Sequence, residues 1–304
     1  MNSIRIFWSP TYEVDIGPHV FPTRKYRLVR EALLRDGVVD ESSFVLPEPA
    51  GRAALARVHT TRYLEKIDED SFSYPERMAL EVPFSPELRD ASVLCCGGTL
   101  AAGRAALEDS VAIHLGGGFH HAFAGHGEGF CLLNDVAVAA AELLHDGSVQ
   151  RIAIIDLDVH HGNGTAQIFA EEDRVFTFSM HQDDNYPAVK PPSDLDIGLP
   201  NGTSDASYLA TLLANLELVF ERHRPELVFY LAGADPYRED QLGGLGLSSE
   251  GLRARDAAVF EACRQPGVPA AVVLAGGYAF RSSDTVAIHA ATVEEAVRIR
   301  SRER

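Results

Sequence analysis

Nearly continuous apolar runs alternate along this chain with stretches in which apolar residues fall three and four apart. The runs are IRIFW (4–8), VAIHLGG (111–117), RIAIIDLD (151–158), RVFTFSM (174–180), ELVFYLAGAD (226–235) and AAVVLAGGY (270–278). Several are almost unbroken Val, Ile, Leu and Ala, the pattern of a strand covered on both faces. TRKYRLVREALLRDG (23–37) and NDVAVAAAELLHDG (134–147) have helical spacing and stop at Gly37 and Gly147. Asn134 is a candidate N-cap. SDASYLATLLANLELVFERH (204–223) and SSEGLRARDAAVFEACRQ (248–265) have the same form. Strands alternating with helices predict a wound α/β architecture around a mostly parallel sheet. With no repeat, low-complexity linker or break in composition, one domain over 1–304 is expected.

The polar groups sit where the strands should end. In open parallel sheets, ligands bind at the carboxyl ends of the strands. The run from Val111 leads into GGGFHH, and that from Arg151 into DLDVHHGNG. The run from Leu227 ends in GAD, and that from Ala271 in GGY. A parallel sheet would bring His120, His121, Asp156, Asp158, His160, Asp235 and Tyr278 to one rim. A lone aspartate there is ordinarily a helix cap, and a lone histidine a satisfied core residue. Four such endings together point to a site.

Composition narrows the class. The chain has 304 residues, 46% hydrophobic and 23% charged, enough for a large core. No apolar run reaches the ~18–20 residues that span a bilayer. MNSIRIFWSP lacks an apolar segment behind a basic start, so a cytoplasmic protein is expected. The net charge of −17 disfavours nucleic acid and anionic membranes as partners. Cys95, Cys96, Cys131 and Cys263 form no CxxC pair, so reduced thiols are expected.

The rim residues suggest a metal. Asp158 and His160, two apart, would share one face of a strand-like segment. With Asp235 they make a mixed O/N set of three ligands, the signature of catalytic zinc; Fe(II), Co(II) or Mn(II) would also suit it. Such an ion acidifies water and polarises a carbonyl. His120 and His121 would supply a general base and a general acid, and Tyr278 a donor to an oxyanion. Together these describe metal-assisted hydrolysis of an amide-like bond. Asp156 is expected on the face opposite Asp158, orienting a histidine. His161 is expected to be structural, and Cys131 a small buried hydrophobe. GGG (116–118) could suggest a phosphate loop, but no Lys-Ser/Thr follows it.

GGGFHHA, GFCLLND, IDLDVHHGNGT, GAD and GGY, in that order, resemble the zinc-dependent histone deacetylase family. SPTYEVDIGPHVFPTRKY, RVHTTRYLEKI and DQLGGLGLS extend the resemblance over nearly the whole chain. It is most similar to the class IV branch and to bacterial deacetylase-like amidohydrolases. The resemblance implies a three-layer α/β/α arginase–deacetylase fold. It implies zinc on Asp158, His160 and Asp235, a catalytic pair His120 and His121 with Asp156 behind His120, and Tyr278 on the scissile carbonyl. It places Asn163 behind His121, where class I members carry aspartate. Gly118, Phe130, Tyr186 and Leu242 would line a substrate tunnel. A structural potassium ion would sit near Asp156, Ser179 and Met180. Leu242 stands where polyamine deacetylases of the family often carry glutamate, so acyl-lysine is favoured over acetylpolyamine. A small-molecule amidohydrolase and a catalytically silent acyl-lysine binding protein are the alternatives. Which of the paired histidines is the base, the acyl length and the oligomeric state are not specified by these motifs.

Overall fold

The computed structural model describes residues 4–302, so residues 1–3 and 303–304 of the expected domain lie outside it. Among the described residues, eight strands form one sheet. They are β1 (Arg5–Phe7), β2 (Phe44–Val45), β3 (Val111–His114), β4 (Ile152–Asp156), β5 (Val175–Gln182), β6 (Leu195–Leu199), β7 (Leu227–Leu231) and β8 (Ala270–Val273). The order is β2-β1-β3-β8-β7-β4-β5-β6, and every pairing is parallel. The four strands whose ends carry chemistry, β3, β8, β7 and β4, are therefore neighbours at the centre. Every residue of these four strands is buried. Their register is level: Asp156 pairs with Leu231, Leu231 with Val273, and Val273 with His114. All four chains thus leave the sheet at one height.

Among the described residues there are ten α-helices: α1 (Lys25–Arg35), α2 (Arg52–Leu55), α3 (Thr61–Glu69), α4 (Tyr74–Leu80), α5 (Pro86–Asp109), α6 (Asp135–His145), α7 (Asn163–Phe169), α8 (Asp205–His223), α9 (Ser249–Arg264) and α10 (Ser282–Ser301). One layer holds α5 and α6, with α5 lying on β1, β3, β7 and β8. The other runs α1, α10, α9, α8, each packed on the next. The result is a three-layer α/β/α fold. Asn134 caps α6, its side chain accepting from the Ala137 amide.

The periodic pattern does not reveal β2, β6, α2, α3, α4, α5, α7 and α10, and for β6 and α5 there is a physical reason. β6 alternates half-buried and exposed positions as an edge strand, so it shows no apolar run. α5 carries ASVLCCGGTLAAGRAALED, small residues on nearly every side. A helix buried all round loses the polar stripe that reveals one. Its small residues serve close packing: a Cβ on Gly97 would fall 1.8 Å from the Glu48 carbonyl oxygen.

Candidate active site

The loop after β3 carries the paired histidines. Gly118 has φ of +83°, and a Cβ there would lie 2.6 Å from the Ala275 Cα. Glycine therefore lets this loop cross the loop that follows β8. Asp135 holds it from below, accepting from the Gly118 amide at 3.0 Å and the Phe119 amide at 2.8 Å. His120 and His121 emerge with their Nε2 atoms 3.1 Å apart. Behind His120, Asp156 Oδ2 lies 2.6 Å from Nδ1. Behind His121, Asn163 Oδ1 lies 2.7 Å from Nδ1. The two rings differ electrostatically. Burial opposes charge on both. Asp156 and Asp158 overcome it at His120 and raise its pKa to about 9. At His121, burial and the neighbouring His120 and His160 push it well below its ordinary value.

Asp158, His160 and Asp235 come together, all buried, with donor atoms within 4.8 Å of one another. Strand geometry is not the reason. β4 ends at Asp156, and residues 158–160 form a bend. Nor do opposite strand faces part Asp156 from Asp158, since residues two apart share a face. The bend separates them instead: Asp156 reaches His120, while Asp158 turns to His160, Oδ1 to Nδ1 at 3.0 Å. The Gly276 amide donates to Asp158 Oδ2 at 2.8 Å, and the Val159 amide to Asp235 Oδ1 at 2.9 Å. A Cβ on Gly276 would fall 1.9 Å from Asp235 Oδ2, so the GGY glycine makes room for the carboxylates.

The chemistry of this donor set fits a divalent cation. Asp235 Oδ2 is buried and makes no hydrogen bond, with His160 Nδ1 near it at 3.5 Å, a costly state for a carboxylate oxygen. Burial and the charge of Asp158 push the Asp235 pKa up. Burial opposes charge on His160, yet Asp158 and Asp235 raise its pKa to about 10. Two carboxylates packed this tightly call for positive charge between them.

A cavity of about 980 Å³ opens above the trio. Phe130, Tyr186, Leu242, Tyr278, His121 and His160 line it. Tyr186 stands edge-on to His121, ring centres 4.9 Å apart. Gly118 is not on this wall; it borders a cleft of about 20 Å³ beneath, with His120, Asp158 and Tyr278. Ser179 and Met180 lie on β5, Ser179 paired in register with Asp156. The Ser179 hydroxyl is already 3.0 Å from His181 Nδ1. His161 turns away from the trio and lies 3.0 Å from Asp196. Cys131 is buried.

Sequence reasoning passed over several residues that build the site. Lys25 is buried, and its Nζ donates to the Ala275 carbonyl at 2.5 Å. Burial lowers its pKa, while Asp235 and Asp158 pull the other way. A signal existed: Lys25 shares helical register with buried Val29 and Leu33 on α1. Arg255, also buried, donates to the carbonyls of Gly233 at 2.6 Å and Leu157 at 3.3 Å. It thereby joins the loops that present Asp235 and Asp158. Glu128 accepts from Tyr186 and Asn163. Nothing periodic marks it in the loop.

Residues 19–293 match the model of the histone deacetylase domain. The chain belongs to the histone deacetylase family. It is 31% identical to histone deacetylase 2 of Arabidopsis thaliana over 94% of this chain and 78% of that one. It is 33% identical to the histone deacetylase-like amidohydrolase of Pseudomonas aeruginosa, over 76% of this chain and 64% of that one. An uncharacterised protein of Picosynechococcus is 40% identical across 93% of this chain and 95% of its own. Among solved structures, an HDAC homologue complexed with SAHA aligns with TM-score 0.81 and 26% identity, covering 97% of this chain and 84% of that chain. The three-layer parallel fold is thus the deacetylase fold, and the family is one of amide-cleaving hydrolases.

Proposed function

We propose that this deacetylase-family chain hydrolyses N-acyl-lysine with a divalent ion, zinc first, on Asp158, His160 and Asp235. The observation that carries this reading is the buried Asp158, His160 and Asp235 cluster, with Asp235 Oδ2 making no hydrogen bond, beside a paired histidine and below an aromatic-walled cavity. An ion held there would supply Lewis acidity to an amide carbonyl and acidify a water. The remaining steps belong to the protein. Phe130 and Tyr186 would flank an acyl-lysine stem, with Leu242 nearby. His121, uncharged at rest, takes the proton of the attacking water. His120, held cationic by Asp156, steadies the negative charge that develops. Tyr278 donates its hydroxyl to the carbonyl oxygen as that oxygen gains charge. The proton on His121 then passes to the departing amine.

One observation favours a second reading, a small N-acyl amine. Glu81 lines the cavity and would meet the distant ammonium of an acylpolyamine. Leu242 offers no such charge. A panel of acyl-lysine peptides and acetylpolyamines, assayed beside metal content, separates the two. Turnover of the peptides that a chelator abolishes supports the proposal. Preference for polyamines supports the second reading. Bound metal with no turnover on any member means a binding protein and sinks both.

A further inference from the structure

We infer that Glu128 is the carboxylate that serves His121, acting through the amide of Asn163 to fix which ring nitrogen carries the proton. The inference rests on the hydrolase reading above, in which His121 is the base. Asn163 Nδ2 donates to Glu128 Oε1 at 2.6 Å, and Asn163 Oδ1 faces His121 Nδ1 at 2.7 Å. The three groups form one chain of hydrogen bonds. An ionised carboxylate can only accept. Asn163 must therefore turn its NH₂ to Glu128 and its oxygen to His121. That oxygen also only accepts, so His121 Nδ1 must carry the proton. A neutral imidazole has one N–H, which leaves Nε2 bare, the condition for a base.

The other histidine completes the pattern. Its Nδ1 donates to Asp156, and its Nε2 lies 3.1 Å from His121 Nε2. One of these two nitrogens must donate, and a bare His121 Nε2 assigns that proton to His120. The pair is thus unlike by construction, with one carboxylate in direct contact and the other at one amide's remove. An amide transmits less charge than a carboxylate in contact.

Glu128 is built to stay ionised and in place. His126 holds its pKa down against burial, and Tyr186 and Asn163 add to this. Its backbone exchanges hydrogen bonds with Cys131, beside the cavity wall. Tyr186 OH donates to the same Oε1 at 2.8 Å, so one carboxylate serves both a tunnel wall and the base.

Four proteins test this: wild type, Glu128→Ala, Glu128→Gln, and the double variant Asn163→Asp/Glu128→Gln. In the double variant the carboxylate moves next to His121, and the side-chain amide introduced by Glu128→Gln can donate to it. Nitrogen-15 histidine spectra of the metal-free proteins should show His121 protonated on Nδ1 in wild type, with that preference lost in Glu128→Ala. With metal, Glu128→Gln should lower kcat by about 10-fold or more while KM moves by less than about 3-fold. The double variant should recover kcat to within about 3-fold of wild type, a recovery that a merely structural glutamate would not give. Wild-type kcat in Glu128→Gln, no recovery in the double variant, or a wild-type His121 protonated on Nε2 each overturns the inference. A wild type inactive on every acyl amine defeats the hydrolase reading instead, and the spectra then decide the relay alone.

Discussion

A phenolic hydroxyl beside Asp158, His160 and Asp235 is placed to donate to a carbonyl oxygen of the proposed substrate. Tyr278 borders both the cavity and the cleft beneath, and its amide is fixed by Asp240 at 2.6 Å. Replacing it with phenylalanine keeps the ring packed against Phe130 and His160. The loss should therefore fall on kcat, by about 10²–10³-fold, as for removal of one oxyanion donor. Steady-state kinetics beside a thermal melt would check this; an unchanged kcat contradicts the role given to Tyr278. The residues at strand ends were legible because charge there interrupts an apolar run. Glu128 and Lys25 were not. Glu128 acts through space from an irregular loop, and Lys25 looks like an ordinary helix-start cation until its register with Val29 is noticed. Asp156 lies against His120, and a bend, not opposite faces of a strand, separates it from Asp158.

Elements fix the site by being stitched to one another. α9 is joined to the ends of β4 and β7 by Arg255, whose charge is met by Asp256 at 2.8 Å. Asp256 also accepts from Tyr230, by a 2.5 Å bond, and from Thr292. Arg255→Leu strands that carboxylate in the core, and breaking a buried pair costs about 3–5 kcal/mol. Urea unfolding should show a loss of that order, and metal affinity should fall with it as the two loops loosen. A stability change near zero would mean that Asp256 is satisfied without its partner. The expected strands were visible because both their faces are buried. β6 and α5 were hidden for opposite reasons. One is an edge with solvent on alternate positions, and the other is buried on nearly every side.

At the scale of the whole molecule, no helix among the described residues is long and apolar enough to cross a membrane. The charge of −17 sets a long-range field, and Glu81 carries acid into the cavity wall. Exposed charges interact across roughly a Debye length, about 8 Å at 0.15 M salt. Peptides with arginine or lysine flanking the acylated residue should therefore bind better than acidic ones, and the advantage should shrink as salt rises. Equal KM values for basic and acidic peptides at low ionic strength would contradict this. The wound parallel architecture was legible from the alternation of elements, while the strand order was not. That order places β3, β8, β7 and β4 side by side and turns four separate motifs into one rim.

If Asp158, His160 and Asp235 hold the ion on which amide hydrolysis depends, metal content and rate rise together. Metal-free protein should be titrated with zinc while bound metal and initial rate on an acetyl-lysine peptide are followed together. Rate should rise in step with the ion and level off at about one equivalent, as one catalytic site requires. Asp235→Asn should lose both binding and rate. Full turnover in the presence of chelator, or tight binding that survives Asp235→Asn, would contradict the account.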